Sequence, residues 1–334
     1  MSLPAAPAPG PAAPQQQRLE AFLTAAVGER VAVTELQRIS SVGNAREPWS
    51  FTATWDGQRT RCVMLVKAAA GQLETTLRPE FDTIAAMHGQ GVPVARALWC
   101  DDTDAGIGAA FFVTEWVPGS ADTRLLRRAE GVDQIRAVAL QLAQAAARLH
   151  QLDVAPFGHL NPTTTTEAAA TQLGYWAELF QRQRMEAHPA LVYAVTWLQR
   201  HLPRAQRVSV VHGDLRFGNV LYDGDRLTAL LDWEMTHLGD PIEDLGWVYR
   251  SLWSPERALP FSEFLAAYRD AGGGEVDPQH LRWYQVFAEV KHSVISLTGT
   301  RSFAERSTTS LRHADRAATV VAFTDRVLEL LAPC

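Results

Sequence analysis

The chain has 334 residues, 47% of them apolar and 20% charged, with a formal net charge of −6. That length supports two lobes, or one large domain, around a substantial core. The acidic balance leaves no basic footprint, which argues against nucleic acid as a partner. No apolar run approaches the ~20 residues that cross a bilayer, which argues against a membrane span. Cys62, Cys100 and Cys334 are scattered and lack metal-ligand spacing. A reduced, cytoplasmic protein with no required disulfide is the simplest expectation.

Residues 1–17 are mostly Ala, Pro and Gln, with neither the basic start nor the apolar block of a secretory signal, and are expected to be a disordered tail. An amphipathic stretch at 19–27 predicts a short leading helix. Residues 51–55 alternate, Asp56-Gly57 is a hairpin pair, and 61–67 is a second β-rich run. Pro79 opens a helical pattern with Phe81, Ile84, Ala85 and His88 on one face, closed by Gly89 and Gly91. Strands near 94–100 and 110–116 follow. Pro118-Gly119 breaks the pattern, so the N-terminal lobe is placed at 18–117 and the C-terminal lobe at 118–334.

Beyond that break the patterns are mainly helical. Ile135, Val138, Leu142, Ala145 and Leu149 recur at helical spacing, and further helices are predicted at 171–184 and 190–201. A β region at 208–232 contains a hairpin turning at Asp223-Gly224. Residues 262–331 are again helical, with one loop at 272–274. The fold class expected is α+β and bilobal, protein-kinase-like: a small antiparallel lobe with one main helix, then a larger, mostly helical lobe. A cleft between two such lobes is where ligands commonly bind.

The stretch HGDLRFGN, from His212 to Asn219, resembles the kinase catalytic loop H-R-D-x-x-x-x-N, with Asp214 and Asn219 at its five-residue offset. One carboxylate orients the attacking hydroxyl and accepts its proton; an asparagine carbonyl one short loop later holds a metal ion. Asn219 opens one hairpin strand and Asp232 ends the other, which separates them by roughly 7–13 Å along the strand direction, at ~3.3 Å per residue. Hard oxygen ligands that leave room for phosphate suit Mg²⁺. Asp214 alone is compatible with an ordinary turn aspartate; the three positions together point to a site.

Lys67 ends an apolar strand, where an ammonium is costly unless it meets an anion. The α- and β-phosphates of ATP are the expected anions, with Glu80 on the following helix as the steadying carboxylate. A lysine snorkelling from an edge strand and a glutamate placed by the helix dipole remain open. Gly43 and Asn44 can supply a phosphate nest or an ordinary turn. The C=O of Glu115 and the N–H of Val117 can meet an adenine edge from a hinge strand, or belong to a plain linker. Gly106-Ile107-Gly108 precedes a strand and reads as a connecting turn.

The segments VGNAREPWSF, HGDLRFGNVL and LDWEMTHLGDPIEDLGW, in that order, resemble the aminoglycoside phosphotransferase and choline kinase superfamily. The likeness is strongest to members akin to the kinase-like domain fused to some acyl-CoA dehydrogenases. It implies an ATP- and Mg²⁺-dependent transfer of phosphate to a small-molecule hydroxyl. By it Asp214 is the catalytic base, Asn219 and Asp232 bind the metal, and Lys67 pairs with Glu80. Arg216 stands where a catalytic-loop lysine approaches the γ-phosphate. Asp240 and Asp244 either support the metal loop or cap the helix after Pro241, and His150 and His212 read as packed structural residues. Val42 departs from the small residue common in the phosphate loop. No A-P-E segment follows Asp232, which argues against a protein kinase.

Trp176, Trp247, Trp283, Tyr284, Lys291, His292 and Arg301 are acceptor-site candidates, each also readable as core. Lys291, His292 and Arg301 in one stretch suggest an anionic acceptor, a hydroxy acid or a hydroxyacyl-CoA-like molecule. An aminoglycoside or amino-alcohol kinase, and a catalytically silent nucleotide-binding module, are the rival readings.

Overall fold

The computed structural model describes residues 12–39, 46–67, 76–127, 131–309 and 311–332. The chain divides into two compact units, Met1–Ala85 with Ala95–Val117, and Ala86–Val94 with Pro118–Cys334.

In the first unit, α1 (Ala12–Val27) precedes β1 (Ala32–Arg38), β2 (Arg46–Trp55) and β3 (Gln58–Lys67). Then come α2 (Leu77–Met87), β4 (Ala97–Asp101) and β5 (Phe111–Glu115). The strands form one antiparallel sheet in the order β1-β2-β3-β5-β4. Its tightest connection is the Asp56-Gly57 turn, where both residues take positive φ (47° and 72°), as a two-residue hairpin of this hand requires. Alternation on β2 and β3 sends Phe51, Ala53, Cys62 and Met64 into one cluster with Leu19 and Leu23 of α1 and with Phe111 and Val113 of β5.

Helix α1 starts at Ala12, so residues 12–17 are helical where a disordered tail is expected from composition. Ala and Gln are good helix formers, and the helix is tied to β1 at successive turns. Gln16 Nε2 donates to the Val33 carbonyl at 2.7 Å, and the Val33 amide donates to Glu20 Oε1 at 2.8 Å. Residues 1–11 lie outside the described residues, as do Val42, Gly43 and Asn44.

The second unit opens with α3 (Val132–His150), which buries Ile135, Val138, Leu142 and Leu149 along the predicted stripe. Helices α4 (Ala168–Gln183) and α5 (Pro189–Arg200) lead to β6 (Ser209–Val211). Strands β7 (Val220–Asp223) and β8 (Arg226–Leu230) form the hairpin turning at Asp223-Gly224. Strand β9 (His237–Gly239) pairs back onto β6, an antiparallel contact of three residue pairs with no local sequence signal. Helices α6 (Ile242–Val248), α7 (Phe261–Tyr268), α8 (Pro278–Ala304) and α9 (Leu311–Leu331) complete the unit. Both α6 and α9 pack on α8.

The helical pattern at 262–331 breaks a second time, between α8 and α9. There the backbone N–H and hydroxyl of Ser307 both bond the Ser302 carbonyl instead of continuing the helix. Among the described residues, no helix is long and apolar enough to cross a membrane.

Candidate active site

The centre of the site is the turn that leaves β6. Gly213 sits at φ +79°, and a Cβ there would lie 2.4 Å from the Met235 carbonyl oxygen, so only glycine fits. Buried side chains hold both of its backbone polar groups. Its N–H donates to Asp244 Oδ1 at 2.9 Å, and its carbonyl accepts Lys291 Nζ at 2.6 Å. The His212 N–H donates to Asp244 Oδ2 at 2.8 Å, and His150 Nε2 donates to that same oxygen at 3.0 Å. Burial alone would raise the Asp244 carboxyl, but His150, His212 and these amides hold it below its ordinary range.

Asp244 therefore supports the loop, whereas Asp240 acts at the helix. Asp240 Oδ1 accepts the Ile242 amide at 3.0 Å, and Oδ2 meets His280 Nε2 at 2.7 Å. His212 is fully buried. Its Nε2 donates to the Leu231 carbonyl at 3.1 Å and its Nδ1 accepts the Asp214 amide at 3.2 Å, the pattern of a neutral imidazole. Burial pushes its pKa down accordingly.

This frame presents the Asp214 carboxylate to three donors. Arg216 Nε lies 3.0 Å from both oxygens, Asn219 Nδ2 lies 2.7 Å from Oδ2, and Trp247 Nε1 lies 2.7 Å from Oδ1. Arg216 uses only Nε; its two Nη groups have no hydrogen-bond partner among the described residues. Burial works against the Arg216 charge, yet Asp214 and then Asp232 raise its pKa overall.

Asn219 Nδ2 also donates to the Asp214 carbonyl at 3.0 Å, so the amide is oriented and its Oδ1 faces away from that residue. The Leu231 N–H bonds the Asn219 carbonyl at 2.8 Å, which places Asp232 one residue past the point of contact and closer than the strand estimate suggests. Asp232 takes φ +68°, an uncommon conformation for a residue with a side chain. Asn219 immediately precedes β7 and Asp232 follows β8, so an amide oxygen and a carboxylate flank the same end of the hairpin, a donor set that fits Mg²⁺, which keeps other positions for water and phosphate.

In the N-terminal unit the expected Lys67–Glu80 pair is not formed. Glu80 Oε2 accepts Arg46 Nη2 at 2.9 Å and Nε at 3.2 Å, with both side chains buried. The register of β2 and β3 sets Arg46 directly across from Lys67, so two cations compete for one carboxylate. The guanidinium brings two N–H groups from one rigid plane onto Glu80 Oε2, a preorganised geometry that a single ammonium nitrogen lacks. The Lys67 residue is exposed, and its ammonium makes no ion pair among the described residues. Arg46 is the residue that sequence reasoning passed over, although it lies inside the VGNAREPWSF segment. Glu115 ends β5, with its N–H bonded to the Arg96 carbonyl at 2.9 Å, and Val117 is the last residue of its unit.

Of the acceptor candidates, Trp247 touches Asp214 directly. Lys291 is fully buried, bonded to Gly213 and to Glu243 Oε1 at 2.9 Å, with its charge over the Trp247 and Trp176 rings at 5.0 and 5.4 Å. Arg301 bonds Glu305 Oε1 at 2.7 Å and the Arg182 carbonyl. Trp283 donates to the Leu198 carbonyl at 3.1 Å, and Tyr284 is buried in the core. Burial, followed by Arg250, Arg316 and Arg216, holds His292 well below its ordinary range, so it is neutral. These placements remove Lys291, His292 and Arg301 as the basis for an anionic acceptor.

The fold and this carboxylate–amide cluster are those of a phosphotransferase. The model of the phosphotransferase enzyme family (APH) matches residues 43–284, and the chain belongs to that family. Streptomycin 3''-kinase of Streptomyces griseus is 29% identical over 270 residues, 77% of this chain and 90% of that protein. Acyl-CoA dehydrogenase family member 10 of Mus musculus is 30% identical over 197 residues, 56% of this chain and 18% of that protein. The chain thus spans less than a fifth of that relative's length. A thermostable variant of aminoglycoside phosphotransferase APH(4)-Ia, in ternary complex with ADP and hygromycin B, superposes with a TM-score of 0.65. It covers 95% of this chain and 99% of its own at 16% identity, a likeness of fold.

Proposed function

We propose that the chain transfers the γ-phosphate of ATP to a hydroxyl of a small molecule, with Mg²⁺ and with Asp214 as the group that receives the hydroxyl proton. The observation that carries this reading is the Asp214 carboxylate fixed between Arg216, Asn219 and Trp247. A carboxylate held in one orientation positions an acceptor oxygen for in-line attack and takes its proton as the bond forms. Arg216, with its Nη groups uncommitted, offers paired donors to the oxygens of the transferred phosphoryl. Asn219 Oδ1 and Asp232 would hold Mg²⁺, which when bound neutralises charge on the phosphates. Lys67, exposed and unpaired, is assigned to the nucleotide phosphates, with Glu80 acting through Arg46 in the same unit. Glu115 and Val117 are assigned to the adenine edge, and Gly43 and Asn44 to the phosphate loop.

For the acceptor, a hydroxy acid or hydroxyacyl-CoA-like molecule is supported by the similarity to acyl-CoA dehydrogenase family members. An aminoglycoside or amino alcohol is the second reading, favoured by the match to streptomycin 3''-kinase across most of its length. ADP release with MgATP over a panel of both acceptor classes tests the reaction, repeated with Asp214→Asn. The expected result is turnover with at least one class and a loss of roughly a thousandfold or more in the variant. Nucleotide binding without turnover across the panel would instead favour a silent module.

A further inference from the structure

Three arginines surround His292, and two of them are neutralised. Arg216 lies on Asp214, and Arg250 makes a paired salt bridge to Glu289 through Nε, at 3.0 Å from Oε1, and Nη2. The third, Arg316 on α9, makes no ion pair among the described residues, and its Nη1 is buried with no hydrogen-bond partner. A guanidinium that is partly buried, with Nη1 shielded from solvent and no counter-charge among the described residues, leaves a charged donor unsatisfied, a cost that an anionic ligand would relieve.

Position ties this charge to the site. Arg316 shares a face of α9 with the buried Val320 and Phe323, at helical offsets of four and seven. Phe323 stacks on His292 with centroids 4.3 Å apart and lies beneath Arg250 at 4.7 Å. His292 packs against Trp247 and Trp253 at 5.8 and 5.4 Å. Trp247 donates to Asp214, and Trp253 lies under Arg216 at 5.3 Å. The aromatic wall thus runs unbroken from the proton acceptor to the face that carries Arg316. Burial lowers the Arg316 pKa and the nearby Arg216 charge lowers it further, consistent with this proximity.

We propose that Arg316 is a specificity-determining residue that binds an oxyanion, carboxylate or phosphate, of the acceptor whose hydroxyl is presented to Asp214. This rests on the kinase reading above and restores the anionic acceptor on a residue other than Lys291, His292 or Arg301. Arg250 and Arg216 keep their own carboxylates, and Arg316 supplies the one uncompensated charge of the three.

A matched four-carbon set isolates the effect: 3-hydroxybutyrate, 1,3-butanediol and 4-amino-2-butanol, together with 3-hydroxybutyryl-CoA. Binding is measured calorimetrically with MgADP saturating, so that the nucleotide's own phosphate contacts are filled. The acid or the thioester is expected to bind wild type about tenfold or more tighter than the diol. Tighter binding of the free acid identifies the carboxylate as the anion; tighter binding of the thioester alone identifies phosphate. Arg316→Ala should bring the anionic probe down to the level of the diol, Arg316→Lys should restore part of the preference, and Arg316→Glu should favour the amino alcohol. The wild-type comparison needs no variant to fold. Equal binding of charged and neutral probes by wild type, or an anion preference retained in Arg316→Ala, overturns the proposal. Anion preference without ADP formation from any probe would sink the kinase reading alone.

Discussion

The chain carries only two lysines among its 31 Lys and Arg residues, one in each unit, and their surroundings are opposite. Lys67 ends a strand, is exposed, and leaves the neighbouring carboxylate to an arginine. Lys291 lies in the middle of α8 with 1% of its surface exposed, and it donates to a backbone carbonyl, to a glutamate and toward two indole faces. Each position suits a compact ammonium over a guanidinium. At 291 a small cation is needed to fit beneath a glycine turn; at 67 an exposed one makes no ion pair among the described residues. Lys291 builds the loop, whereas Lys67 stays outside the packing.

The strongest challenge to this division is Lys291→Met. It takes the ammonium from buried Glu243, leaving only His237 beside it, and leaves the Gly213 carbonyl without its donor. Breaking a buried pair from one side costs about 3–5 kcal/mol. Denaturant unfolding should register that loss, and Lys291→Met/Glu243→Gln should recover part of it. A variant as stable as wild type would mean that Lys291 is not structural.

Lys67→Ala should do the reverse. Stability should move by no more than about 0.5 kcal/mol, because the side chain removed is exposed and makes no ion pair among the described residues. ATP-dependent kcat/KM should fall by about a hundredfold or more, the scale seen when one donor to developing charge is lost. Unchanged kinetics would remove Lys67 from the site.

Arg46→Ala sharpens the comparison on a smaller scale. It takes the two Arg46 donors from Glu80 Oε2, but β2–β3 pairing keeps Lys67 opposite the vacated position, so the lysine can turn onto the carboxylate. The cost should be about 1–3 kcal/mol, below that of Lys291→Met. Arg46 and Lys67 should then couple in a double-mutant cycle by at least ~0.5 kcal/mol. Strict additivity would show that Lys67 cannot reach Glu80.

What could be read in the chain itself follows from the range of each interaction. The β2–β3 and β7–β8 hairpins were legible because a two-residue turn and its flanking strands are adjacent in sequence. The Asp214–Asn219 contact was legible because one short loop fixes it at five residues. The choice of Arg46 over Lys67 was not, since both cations satisfy the same local pattern and only the register and the shape of the guanidinium separate them. Lys291 and Gly213 are 78 positions apart, and Trp247 and Asp214 are 33 apart. No periodicity reports on such pairs. A basic cluster in one helix therefore read as a ligand surface, although tertiary packing had already given Lys291 a partner.

The smallest effect concerns protons, and it separates His237 from His292. Burial lowers the His237 pKa, but Glu243 overrides it and the net shift is upward; Nδ1 donates to the Met235 carbonyl at 3.0 Å and Nε2 to Glu243 Oε2 at 3.2 Å, as an imidazolium would. A raised folded pKa contributes stability that is fully present below the unfolded value near 6.5 and is lost as pH rises through the folded value. His292 is lowered by burial first and then by Arg250, so its contribution has the opposite sign: folding holds it neutral, and stability falls as pH drops below 6.5. His237→Gln should therefore show its widest deficit against wild type at about pH 5.5 and a narrower one by about pH 9, whereas His292→Gln should gain on wild type toward the acid end. Lys291 lowers the His237 pKa. In Lys291→Met the imidazolium should persist to higher pH and partly replace the missing ammonium beside Glu243, so that this variant's deficit narrows as the solution is acidified. A deficit independent of pH would show that His237 does not share Glu243 with Lys291.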